Sequence, residues 1–167
     1  AVLGSDVSSI VSSSGAFAAI KEDGSVVTWG RDSSGGDSAS VDLSSGVSSI
    51  VGNDYAFAAL KSDGSVVTWG YADYGGDSSS VASSLTNGVT SIVSNGLAFA
   101  ALKSDGSVVT WGGAYYGGDS SSVASSLSSG VSSIVSSSKA FAALKSDGSV
   151  VTWGRDGSGG DSSSVES

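Results

Sequence analysis

Cysteine, histidine, methionine and proline are all absent from the 167 residues of this chain. Without cysteine there is no disulfide frame, thiolate nucleophile or cysteine-held zinc, so thiols say nothing about redox compartment. Without histidine, the side chain that most often moves protons near neutral pH is missing. Positive charge is scarce: 7 Lys and Arg stand against 16 Asp and Glu, for a net charge of −9. Phosphate recognition draws its affinity from clustered basic side chains, so nucleic acid is excluded as a partner. No apolar run approaches the roughly 20 residues that a membrane-spanning helix needs, which argues against membrane insertion. The first residue is Ala1 rather than Met, so the translated start is expected to lie elsewhere.

What abounds is Ser and Gly, 70 residues together. That composition ordinarily marks a flexible linker, but here the apolar residues recur in fixed register. Trp29, Trp69, Trp111 and Trp153 each sit in Val-Val-Thr-Trp-Gly, spaced 40, 42 and 42 residues apart. Such a period marks repeat architectures, in which a unit buries its apolar face only against a neighbour. The chain reads as one repeat domain, 1–167, with units at 7–46, 47–88, 89–130 and 131–167 and residues 1–6 completing the last.

Within a unit, Ala56 to Lys61 and Ser65 to Trp69 flank Asp63-Gly64, a tight-turn pair, so the two runs form a hairpin. The same turn recurs at Asp23-Gly24, Asp105-Gly106 and Asp147-Gly148. Val47 to Val51 supplies a third β-branched run. The stretch from Asp77 to Leu85 fits a short helix, with Val81 and Leu85 four apart, or a fourth strand. The alternation of Val41 and Leu43 in the first copy favours the strand. Along the central strand, alternation sends Phe57 and Ala59 to one face and Ala56, Ala58 and Leu60 to the other. Both faces are apolar, so each sheet is expected to pack between two others, Ala lining the close approaches and the aromatic residues filling the wide ones. The expected core is Phe17, Trp29, Phe57, Trp69, Phe99, Trp111, Phe141 and Trp153. A single unit buries too little to offset the ordering of its backbone and should not fold alone. The fold class is all-β, four tandem repeats of three to four antiparallel strands, β-propeller-like, with an open stacked array or solenoid as the alternative.

The frame Ala-Leu-Lys-x-Asp-Gly-x-Val-x-x-Trp-Gly spans Ala59 to Gly70, Ala101 to Gly112 and Ala143 to Gly154, with Ile20 replacing Leu in the first copy. It resembles the regulator-of-chromosome-condensation repeat. That family builds β-propellers of four-stranded blades, usually seven, so the resemblance implies a β-blade for each unit. This chain has a shorter period, Gly-Gly-Asp-Ser where the family has Gly-Gln-Leu-Gly, and Ala16, Ala56, Ala98 and Ala140 at the place of a common His. The family's nucleotide exchange and chromatin binding map onto no residue here. Joining the segment from Gly159 to Val165 to that from Ala1 to Val7 would make one further junction. Within a molecule it closes a four-bladed ring; between molecules it makes a filament; a window cut from a longer array reads identically.

Four positions after each Trp-Gly differ between otherwise near-copied units, as a binding face on a rigid scaffold would. The candidate ligand-binding residues there are Arg31, Asp32, Tyr71, Asp73, Tyr74, Tyr115, Tyr116, Arg155 and Asp156. Tyrosine offers apolar area and a hydroxyl at low entropic cost. The alternative is neutral drift, with Arg31 and Arg155 pairing with nearby Asp. Asp37, Asp77, Asp119 and Asp161 could offer oxygen to calcium, but capping a turn explains them better, so no metal and no cofactor is assigned. Lys21, Lys61, Lys103 and Lys145 read as solvated charges protecting hairpin ends. Catalysis is not expected: a nucleophilic Ser would lack its usual base, and Asp residues repeated in equivalent surroundings cannot have the divergent pKa values that acid and base roles require. The Gly-Gly pairs beginning at Gly35, Gly75, Gly117 and Gly159 form no phosphate loop. The composite reading is a non-catalytic scaffold that binds or adheres to a protein or glycan through the variable loops. The alternative is a self-assembling subunit of an extracellular filament or surface array. Partners would be protein, glycan or other copies of the chain, in an extracellular or cell-surface setting. The acidic coat should keep the chain dispersed at neutral pH and let it clump near about pH 4.

Overall fold

A computed structural model describes residues 3–166 of the chain; Ala1, Val2 and Ser167, on which the completion of the last unit by residues 1–6 partly rests, lie outside the described residues. Four three-stranded antiparallel sheets succeed one another, each made of consecutive strands in chain order. They are β1 (Val7–Ser12), β2 (Ala16–Lys21) and β3 (Val26–Gly30); β4 (Val47–Gly52), β5 (Ala56–Lys61) and β6 (Val66–Gly70); β7 (Val89–Ser94), β8 (Ala98–Lys103) and β9 (Val108–Gly112); and β10 (Val131–Ser136), β11 (Ala140–Lys145) and β12 (Val150–Gly154). The all-β reading with repeated antiparallel sheets holds.

Local chemistry explains each sheet. At the hairpin turn the Asp63 carboxylate accepts the Ser65 amide at 2.9 Å and its hydroxyl at 2.6 Å. Gly64 supplies the positive φ of 81° that a side chain would resist. The first strand of every sheet is bulged, as between Val47 and Ser49. A bulge leaves one carbonyl of the partner strand without its ladder amide. Here the bulged residue supplies the donor itself: Ser8, Ser48, Thr90 and Ser132 bond the carbonyls of Ile20, Leu60, Leu102 and Leu144 at 2.9 to 3.1 Å.

The expected fourth strand is not formed. The linker is a 3₁₀ helix at Ser79–Leu85, shorter 3₁₀ turns occupy Ser121–Val123 and Ser163–Val165, and residues 39–45 have no regular element. A Ser-rich segment satisfies its amides locally, and Asp77, Asp119 and Asp161 each cap the first turn by accepting an amide two residues on. What survives of a strand is one bond, from the Val26 amide to the Leu43 carbonyl at 3.0 Å and from Val108 to Leu127 at 2.9 Å. Nor are Lys103 and Lys145 simply solvated; their ammonium groups donate to the linker carbonyls of Ser84 and Ser126 at 2.7 and 2.8 Å.

The core lies between the sheets rather than within them. Three apolar clusters form, one at each junction. The middle one packs Ala56 and Ala58 of the second sheet against Phe99, Ala101 and Trp111 of the third, with Leu85 of the linker sealing the edge. Every junction is also tied by hydrogen bonds. The indole N–H groups of Trp69, Trp111 and Trp153 donate to the carbonyls of Gly35, Gly75 and Gly117 of the preceding sheet's loop at 3.1, 3.2 and 3.1 Å. The amides of Val47, Val89 and Val131 donate to the hairpin-turn carbonyls of Gly24, Gly64 and Gly106, each at 3.0 Å. The four sheets do not close. Phe17, expected in the core, is 45% exposed because none of the four described sheets covers its face, and its partner Trp29 is only half-buried.

Gly75 shows how tight a junction is. Its φ is 105°, and a Cβ there would stand 2.5 Å from Phe99 Cδ2, whereas a Cβ on the matching Gly159 would meet nothing within 4 Å. Gly75→Ala should cost about 1–2 kcal/mol in backbone strain plus about 1–3 kcal/mol in overpacking; Gly159→Ala should cost the first amount alone. Urea titration of the two variants checks the difference. An excised segment 47–88 should show no cooperative melting by circular dichroism, because it carries both faces of a junction and the partner of neither.

Candidate binding face

The loop between the first two strands of a sheet and the loop after its third strand lie at the same end, since the register pairs Ala56 with Gly70. They are fastened to one another. The Tyr71 amide bonds the Tyr55 carbonyl at 3.0 Å, and the Asn53 side-chain amide donates to the Tyr74 carbonyl at 2.6 Å. In the third sheet Gly113 bonds Leu97 at 2.8 Å and Asn95 donates to Tyr116 at 2.7 Å. Ser137 takes the asparagine's place in the fourth sheet, bonding the Ser158 carbonyl at 2.6 Å. The post-Trp-Gly loop is itself a single 3₁₀ turn closed by a left-handed glycine, such as Ala72–Tyr74 with Gly75. Positions that vary in sequence therefore sit on a turn whose backbone is anchored at both ends.

The tyrosines converge. Tyr55 lies 5.3 Å from Tyr74 and 6.3 Å from Tyr71 between ring centres, and Tyr71 stacks on Tyr74 at 5.3 Å. Gly113 joins this group to the next sheet: a Cβ on it would lie 3.4 Å from Tyr74 Cδ1 and 2.8 Å from Tyr116 Cδ2. Tyr116 meets Tyr115 edge-on at 5.5 Å, and the Lys139 ammonium stands 5.5 Å over the Tyr116 ring. The result is an aromatic strip across the second and third sheets that ends on a cation. Tyr55, Tyr71 and Tyr115 remain exposed while Tyr74 and Tyr116 are half-buried between them.

Tyr71, Tyr74, Tyr115 and Tyr116 are thus brought together, with Asp73 exposed beside them. Arg31 and Asp32 in the first sheet, and Arg155 and Asp156 in the fourth, occupy the matching turns on either side of the strip and are exposed. The pairing of Arg31 and Arg155 with nearby Asp is not seen; among the described residues the ion pair is Lys21 with Asp6, at 2.9 Å. Tyr55 and Lys139 escaped the sequence reading. Their signal was available: Gly15, Tyr55, Leu97 and Lys139 occupy one repeat position and all differ.

The recurring aspartates are turn-bound. Asp23, Asp63, Asp105 and Asp147 lie below the ordinary value of 3.8 chiefly because a serine hydroxyl two residues on donates to each, with that residue's amide adding to the effect. Asp77, Asp119 and Asp161 are lowered first by the backbone amide they cap. Carboxylates already engaged in this way have equivalent surroundings, and no group of three or more acidic side chains forms a metal cluster among the described residues. Because folding depresses these values, the folded chain binds fewer protons than the unfolded one in acid. The stability they contribute is complete above 3.8 and is lost as the pH falls below it. Melting temperature should be level above about pH 5 and decline below about pH 4. Since these aspartates keep their charge to lower pH, turbidity should also rise below, rather than at, about pH 4.

No protein-family model and no curated protein sequence matches the chain. Solved structures do. Human WBSCR16 is 20% identical with a TM-score of 0.59, the match covering 89% of this chain and 47% of that one. Yeast RCC1 (Prp20), in a crystal structure of Kap60 bound to it, is 18% identical with a TM-score of 0.59, covering 89% and 43%. The CRINKLY WD40 ectodomain of the Arabidopsis thaliana receptor kinase ACR4 is 18% identical with a TM-score of 0.55, covering 84% and 53%. The chain spans about half the length of these structures or less. The likeness shows the fold, an all-β, propeller-like succession of antiparallel sheets, and in this chain the four described sheets do not close.

Proposed function

We propose that the chain is a non-catalytic scaffold that binds a protein partner through the tyrosine strip at the loop end of its second and third sheets. The observation that carries this reading is the convergence of Tyr55, Tyr71, Tyr74, Tyr115 and Tyr116 onto one surface from turns whose backbones are anchored. Tyrosine concentrates in the centres of protein interfaces, where rigid aromatic rings contribute area at little entropic cost. Lys139 at one end of the strip and Asp73 within it would set orientation. That a protein of the same fold, yeast RCC1, is seen bound to Kap60 supports a protein partner. Stacking of sugar rings on Tyr71 and Tyr115, the two most exposed tyrosines of the strip, is the second reading. An extracellular or cell-surface setting belongs to the same proposal and draws on the acidic, cysteine-free composition.

The double variant Tyr71→Ser/Tyr115→Ser removes exposed rings and should leave the melting temperature within a few degrees of the parent. Capture of proteins from a cell-surface extract should fall by about tenfold or more. Binding confined to a glycan array and lost in the same variant would replace the protein partner by a sugar. Equal binding by variant and parent would return the strip to neutral drift.

A further inference from the structure

The first and fourth sheets expose opposite halves of the contact made at the three junctions. On the outward face of the first sheet, Phe17 and Ile10 are 45% and 57% exposed, whereas the matching Phe57 and Ile50 of the second sheet are 0% and 6%. Of the four indole N–H groups, that of Trp29 makes no hydrogen bond among the described residues, while the other three bond a glycine carbonyl. On the outward face of the fourth sheet, Val135 and Leu144 are 64% and 46% exposed, and Gly159, the counterpart of those three glycines, faces open space.

The two faces fit. A hollow of about 260 Å³ on the fourth sheet is lined by Val135, Ala140, Ala142, Ser158 and Gly159. At the first junction the matching Val11, Ala16 and Ala18 hold Phe57, and Gly35 touches that ring. The seat for one more phenylalanine is therefore built and empty. The sealing leucine has its counterpart too. Leu43, Leu85 and Leu127 are 6%, 3% and 2% exposed at the junctions; Leu3, four residues before β1 as they are before β4, β7 and β10, is 46% exposed. A second hollow, of about 760 Å³ beside Val150 and Val165, lies where that leucine would pack.

We propose that the first sheet of one copy seats on the fourth sheet of a second copy, repeating the internal junction between molecules, with Phe17 in the hollow beside Gly159 and the Trp29 indole donating to the Gly159 carbonyl. The contact is heterologous, since the two faces differ, so copies close into a ring or run on as a filament rather than pair face to like face. Each copy carries a charge of −9, which opposes approach. Added salt screens that repulsion and leaves the apolar contact, so association strengthens with ionic strength.

The test is mass by light scattering and sedimentation across a dilution series of the whole chain, with two variants. Phe17→Asp spoils the inserted face. Gly159→Asn, a residue that tolerates left-handed backbone, spoils the seat. Both positions are exposed, and thermal melting verifies that each variant stays folded. The parent is expected to exceed its monomer mass of 16.1 kDa increasingly with concentration and with salt. Each variant should associate about tenfold more weakly. Mixed in equal amounts, the two should form a one-to-one pair through the intact face that each retains. A parent that stays at monomer mass up to its solubility limit overturns the proposal, as do variants that associate like the parent, a mixture that stays monomeric while the parent does not, or a longer form of the chain whose further repeats cover Phe17 and Gly159 and which does not associate.

Discussion

One contact recurs and the rest of the molecule is arranged around it: an indole N–H donating to the carbonyl of a left-handed glycine in the loop of the preceding sheet, with a phenylalanine ring pressed against that same glycine. The glycine must lack a Cβ for the ring to approach, and it must sit at positive φ for the preceding turn to close. The interaction therefore sets the geometry of the loop before it and the packing of the sheet after it. Removing water from both apolar faces of a sheet requires a neighbour on each side, so stability resides in junctions and grows with their number.

This arrangement leaves the loop end of each sheet free of structural duty beyond a few fixed atoms. Backbone amides and carbonyls hold the 3₁₀ turns, and at Asn53 and Asn95 a side-chain amide adds a second tie. The side chains on those turns can change without disturbing the frame, which is why Arg, Gly and Tyr stand at one repeat position. Rigidity beneath and variability above are what a binding surface needs, and the tyrosines of the second and third sheets occupy it. The opposite end is uniform. Its Asp-Gly turns press on the next sheet's first strand, and Gly64 leaves no space for change there.

Much of the fold could be read from residue order because its determinants are local and repeated. Val-Val-Thr-Trp-Gly at a regular interval, Asp-Gly between two apolar runs, and alternation with both faces apolar lead to three-stranded sheets stacked on one another. The linker differs from a strand although Val41 and Leu43 alternate as a strand would, because the Asp37 and Asp42 carboxylates accept the amides of Ala39 and Ser44 within the segment, leaving one ladder bond at each of two junctions. Phe17 stands outside the core because equal sequence does not confer equal burial, which depends on whether a neighbouring sheet covers the face.

Residue order alone sets the strands, the hairpin turns, the turn-bound aspartates and the identity of the residues that vary, because each follows from chemistry within a few positions of the chain. Packing between sheets is what brings Tyr55 and Lys139 to the tyrosines of the other loop, makes Gly113 the gap linking two sheets' rings, and leaves a ring on the first sheet and a hollow on the fourth. Those relations connect residues of different sheets. They arise when apolar faces are forced together, and no local pattern encodes the distance across a junction.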